Sequence, residues 1–187
     1  RADGRAQGGL LREFPKQRQR RVVGAAVVVT TVERDGLCLT AIDFAPRGPD
    51  LALACRVVVV ENTGRSTLEG LTLHQILVNS RRSWDAAPSH RGVIVDDRED
   101  GTGLRLFSPA ADPSAAAASH GVHLFDGRPE QAWQAVDLPL AFPAIGPGGA
   151  ASAWSALVPR IAGGDPHNDA AEAALEGLDP AAALAAT

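Results

Sequence analysis

The chain has 187 residues, 45% of them hydrophobic and 21% charged, with a formal net charge of −4. These proportions fit one folded domain with a sizeable core and exclude a disordered chain. The longest purely apolar runs, such as Val57 to Val60, are only a few residues, far short of the roughly 20 that a membrane-crossing helix needs, so no membrane partner is expected.

Charge is unevenly placed. Residues 1–21 hold seven basic residues against two acidic ones, a local +5 that leaves −9 for the remainder. A nucleic-acid protein would add a basic face or interleaved aromatics. Here aromatics make up only 4% of the chain, so the segment reads as a solvated or docking arm, or the tail of an upstream element, and no nucleic-acid partner is expected. Lys16 is the one lysine, which is a mark of genome composition and not of function. The chain starts at Arg1, contains no methionine and stops at Thr187. It therefore reads as a piece of a longer protein. Nothing resembles a secretory leader, which points weakly to the cytoplasm.

The pass along the chain predicts strands. Val22 to Val32 is dense in β-branched residues and opens the sheet. Glu33-Arg34-Asp35-Gly36 supplies a hairpin turn in which Asp-Gly takes positive φ, and Leu37 to Phe44 returns. After the loop Ala45 to Asp50 comes Leu51 to Glu61, where Arg56 marks the even positions as wet and Cys55, Val57 and Val59 as inward. Asn62-Thr63-Gly64 is expected to link two antiparallel strands, with Gly64 at positive φ. Leu68 to Val78 follows, with Leu71, Leu73 and Leu77 on one face.

Residues 79–90 read as a polar excursion around Trp84. Short strands are expected at Gly92 to Val95, Leu104 to Phe107 and Val122 to Phe125. A further strand pair, Ala132 to Phe142 and Ala151 to Val158, is joined by the hairpin turn Gly146 to Gly149. Regularly spaced short strands predict a mainly β fold, an antiparallel β-sandwich of the supersandwich or immunoglobulin-like kind, over residues 22–165. From Asp169 the chain turns alanine- and leucine-rich, and Asp179-Pro180 reads as an N-cap and first-turn proline, so a helical linker is expected over 166–187. Its leucines are expected to rest on the sandwich or to project as an exposed apolar stripe, because a sandwich closed by two sheets has little need of them.

Chemistry is sparse. Cys38 and Cys55 lack a CxxC partner and any histidine at ligand spacing, so they read as buried free thiols in preference to the alternative of a disulfide, with Cys38 opposite position 56 or 57 across a hairpin. His120 and His123 fall on opposite strand faces, which is a poor metal set. Asp96, Asp97, Glu99 and Asp100 lack the spaced oxygens of a calcium loop and read as a solvated turn. No serine has the elbow that exposes a nucleophile, and no glycine-rich loop fits a phosphate. No catalytic residue, metal or cofactor is therefore expected. The ligand or domain-contact candidates are Trp84 with Arg81, Arg82, Asp85 and His90: a tryptophan among such groups either stacks on a sugar or anchors a partner, or folds back over the sandwich edge.

Three segments in order carry a resemblance: TTVERDGLCLTAIDFAP (30–46), CRVVVVENTGRSTLEGLTL (55–73) and LDPAAALAAT (178–187). Together they resemble the amino-terminal supersandwich domain of six-hairpin glycoside hydrolases and disaccharide phosphorylases. The resemblance implies a non-catalytic sandwich that packs on and edges the active site of a downstream helical barrel of the same chain, with carbohydrate nearby and the catalytic carboxylates beyond Thr187. The scarcity of aromatics departs from an independent sugar-binding surface. The other reading is an immunoglobulin-like interaction or adhesion module.

Overall fold

A computed structural model describes residues 15–46, 52–79, 84–111, 118–120, 134–161 and 173–187. The fold is an antiparallel β-sandwich. One sheet has eight strands in the order β1-β2-β3-β4-β11-β8-β7-β6, and the other has three, β5-β10-β9. The strands are β1 (Lys16–Arg21), β2 (Val27–Arg34), β3 (Leu37–Phe44), β4 (Ala54–Asn62), β5 (Thr72–Asn79), β6 (Trp84–Ser89), β7 (Gly92–Asp97), β8 (Thr102–Phe107), β9 (Ala118–His120), β10 (Gln134–Ala141) and β11 (Ala150–Ile161). A helix, Pro180–Ala185, closes the chain after a helical turn at 173–176. No helix among the described residues is long and apolar enough to cross a membrane.

The β2–β3 hairpin forms as expected. Asp35 and Gly36 sit at φ 48° and 82°, so both central residues take the positive φ of a type I′ turn, and Arg34 pairs with Leu37. The strand before the turn is shorter than its β-branched run suggests. Residues 22–26 break into a bend around Gly24 at φ 84°, and the chain doubles back, so that Lys16–Arg21 pairs antiparallel with β2. Part of the basic arm is thus an edge strand, and its charges suit an edge that must not recruit other strands.

The core between the sheets comprises Val32, Leu39, Ala41, Val58, Val60, Val93, Val95, Leu106, Val136, Leu138 and Leu140 with their neighbours. Leu71, Leu73 and Leu77 pack against it on the single face expected of them. The parity of β4 is the reverse of the expected one. Val58 and Val60 are fully buried between the sheets, while Cys55, Val57 and their cross-strand partners Phe44, Ile42 and Trp154 belong to a second cluster. The large sheet is apolar on both faces, so Arg56 could not label one of them as wet.

Two connections expected to be hairpins are crossovers. β4 lies in the large sheet and β5 in the small one, so Asn62-Thr63-Gly64 carries the chain between layers. Gly64 is not at positive φ; Gly70, at φ 62°, is. The close approach here constrains Gly36: a Cβ on it would lie 2.8 Å from the Gly64 Cα, while one on Gly64 would come no nearer than 3.3 Å to any atom outside its immediate neighbours. Likewise β10 pairs with β5 and β9, while β11 pairs with β4 and β8, so Gly146 to Gly149 is no hairpin turn. Alternation of apolar residues reports that a strand is half-buried, not which strand lies beside it. The expected strand Val122 to Phe125 lies outside the described residues.

Cys38 faces Glu61 and Cys55 faces Phe44, because the β3–β4 connection runs from 45 to 53 and shifts the register past the expected pairing. Both thiols are free. Cys55 is buried, but Cys38 is only half-buried.

Candidate functional site

Among the described residues, the candidates Trp84, Asp85 and His90 are strung along one strand and do not gather at one point. Trp84 opens β6 instead of sitting in a loop, and it is half-buried against the inter-sheet core. Pro88 and two alanines hid this strand, yet an edge strand tolerates a proline because one side of its backbone has no partner. Asp85 is exposed, with the Arg98 guanidinium 3.4 Å away. His90 lies in the turn at the other end of β6, roughly 20 Å from Trp84 at the usual strand rise; its carbonyl accepts a 2.8 Å bond from Arg105 Nη2. Arg81 and Arg82 lie outside the described residues.

The acidic turn is held by its own backbone. Asp97 accepts from the Glu99 amide at 2.9 Å, and one Asp100 oxygen accepts from the amide and hydroxyl of Thr102. Among the described residues no group of three metal-ligating side chains gathers. On the outside of the small sheet, His74 Nδ1 lies 2.7 Å from Asp137 Oδ2.

Among the described residues, side chains from several distant segments also meet in two larger groups. The first is a cavity of about 430 Å³ between the sheets. One cross-strand row of the large sheet, Val28–Asp43–Arg56–Ser155, lines it, and Gln75 and Leu77 of β5 face it. Arg56 holds Asp43 in a bidentate pair, Nε to Oδ1 at 2.6 Å and Nη2 to Oδ2 at 3.0 Å. Among the described residues, the Gln75 Nε2 is buried and has no hydrogen-bond partner. No sequence signal marks Gln75, since its role depends on β5 crossing over Arg56.

The second is the outer face of the large sheet. Here Val27, Phe44, Cys55, Phe107, Ala156 and Val158 form a buried cluster with Leu175 of the tail, which is 1% exposed. Leu178, Ala183 and Leu184 pack on its margin beside Val29, Ile42, Val57 and Trp154. Phe107 meets Trp154 at 5.6 Å between ring centres, tilted by 54°, and the Arg105 guanidinium lies 5.3 Å from the Phe107 ring. The described part of the tail, 173–187, thus rests on the sandwich, and its leucines are packed there and do not project. The helix begins as expected: Asp179 accepts from the amides of Ala181 and Ala182 at 2.9 and 3.3 Å, with Pro180 in the first turn. Burial pushes the Cys55 thiol up to about 11. Cys38 is raised as well, by burial first and then by Glu61 and Glu33 beside it.

No protein-family model matches the chain, and no curated protein matches it significantly.

Proposed function

We propose that this chain is a non-catalytic sandwich module that packs its large sheet against helical structure, as the amino-terminal domain of a carbohydrate-active enzyme does beside its helical barrel. The observation that supports this reading is the two-faced large sheet. A sandwich of two sheets needs one apolar face on each, yet here the second face carries its own cluster, and helical residues from the carboxyl end cover it. Val29, Ile42, Val57 and Trp154 around that cluster are only half-buried, which leaves room for a helical layer to extend across the same face. The Trp84 side chain, committed to the sandwich edge, supports a packing role over sugar stacking.

The test compares thermal unfolding of this chain with that of its natural protein carrying any further domain. The longer form is expected to melt several degrees higher, since inter-domain contacts commonly bury about 600–1,500 Å². Identical melting, with Val29, Ile42 and Val57 equally open to hydroxyl-radical labelling in both forms, favours the free-standing interaction module. The chain alone is expected to show no glycosidase or phosphorylase turnover, and turnover lost on substituting any of Asp96, Asp97, Glu99 or Asp100 would overturn the reading.

A further inference from the structure

We propose that the outer edge of β1 is a docking site for an extended, acidic peptide segment of another protein, which adds to the large sheet as a further strand. β1 ends the strand order of that sheet, and among the described residues it pairs with β2 alone. All six of its residues, KQRQRR, are exposed. The register fixes which backbone groups are open. Val22 donates to the Val27 carbonyl at 3.0 Å, and bonding alternates along an antiparallel pair. Lys16, Arg18 and Arg20 therefore bond to β2, while the N–H and C=O groups of Gln17, Gln19 and Arg21 point outward.

Charge selects the occupant. Lys16 is answered by Glu33 at 3.3 Å, but Arg18, Arg20 and Arg21 stand opposite Thr31, Val29 and Val28, which are neutral. Arg18 and Arg20 share one face of the strand, about 7 Å apart, the distance between alternate residues of an extended chain. Carboxylates at alternate positions of an added strand meet them side by side. The same arginines repel a second copy of this edge, because like charges directly opposite are destabilising, and an uncharged strand would desolvate them without compensation. A nucleic-acid backbone fits less well. Its phosphates only accept hydrogen bonds and so pair with none of the outward carbonyls, and β1 has no aromatic residue on which a base could stack.

The probe is a capped peptide alternating threonine and glutamate over the length of β1, titrated into the whole chain and followed by backbone amide resonances. Saturable shifts are expected at Gln17, Gln19 and Arg21, with no binding of the threonine–lysine counterpart. Arg18→Gln and Arg20→Gln should each weaken the glutamate peptide about two- to fivefold, the worth of an exposed ion pair. Arg18→Glu combined with Arg20→Glu, checked for an unchanged melting temperature, should turn the preference to the lysine peptide. The glutamate peptide N-methylated throughout keeps its charge but has no amide hydrogen to donate, and it should lose binding. The absence of saturable shifts, or shifts centred elsewhere, would sink the proposal. So would equal binding of the methylated peptide, an unmoved preference in the charge-reversed variant, or tighter binding of oligothymidylate than of the glutamate peptide.

Discussion

At the end of the sandwich where β4 finishes, the Asn62 side chain donates to the carbonyls of Ser66 and Ile145 at 2.8 and 2.7 Å and accepts from the Gly64 amide at 3.0 Å. Its backbone bonds Gly148 and Gly149, and Thr63 donates to Gly36 at 2.8 Å. At the other end, where β4 begins, the described residues leave a cavity between the sheets, and among them the Gln75 Nε2 has no partner. One buried amide ties two crossovers and a hairpin together; the other has a buried nitrogen with no partner among the described residues. Polar burial is therefore paired and structural at the first end and unpaired at the second.

The largest effect is expected from breaking the closed end. Asn62→Ala should cost about 3 kcal/mol, because it strands two carbonyls and an amide, as a shift in the urea midpoint will show. Asn62→Asp should cost more at neutral pH, with a carboxylate set against two carbonyl oxygens. Its folded-state pKa is then raised above the unfolded value of about 3.9. The penalty should be mild below about pH 4 and grow as pH rises through the folded pKa. A pH-independent loss would show that Asn62 acts by shape alone.

Gly36→Ala should cost about 2–3 kcal/mol, since it meets both a positive φ of 82° and backbone at 2.8 Å. Gly64→Ala, whose new Cβ would come no nearer than 3.3 Å, to the Asn62 side chain, should cost about 1 kcal/mol. Equal losses in parallel chemical unfolding would mean that the hairpin and crossover do not press on each other.

Cys55 tests the open end on its outer face. Its pKa is raised from 9.0 to about 11, so the unfolded chain ionises first. The thiol's contribution is then fully present below pH 9 and is lost as pH climbs toward 11, by at most about 3 kcal/mol. Cys55→Ala should lower stability at pH 7 by about 1–2 kcal/mol while flattening that alkaline decline, which thermal melts at stepped pH will resolve. The smallest effect is expected for Gln75→Leu, within about 0.5 kcal/mol of the native chain or slightly above it, since an unpaired donor is removed. A large loss would mean that Gln75 is as structural as Asn62.

Local chemistry was legible in the sequence wherever neighbours along the chain decide it. Asp35-Gly36 named its turn, Leu37 to Phe44 its strand, and Asp179-Pro180 its helix start, because φ preference and capping act within a few residues. The site was far less legible. Trp84, Asp85 and His90 are close in sequence but spread along an extended strand, whereas Gln75 and Arg56 come to line one cavity only because the sheets cross.

The sequence by itself determined the fold class, since a density of short β-branched runs broken by turns has few stable arrangements other than a sandwich. Tertiary structure alone decided which strands pair, that the large sheet buries both faces, and that Gly36 is crowded by the approach of Gly64. Each of these depends on contacts between segments tens of residues apart. Alternating hydrophobicity records how much of a strand is covered, and only the packed layers settle what covers it.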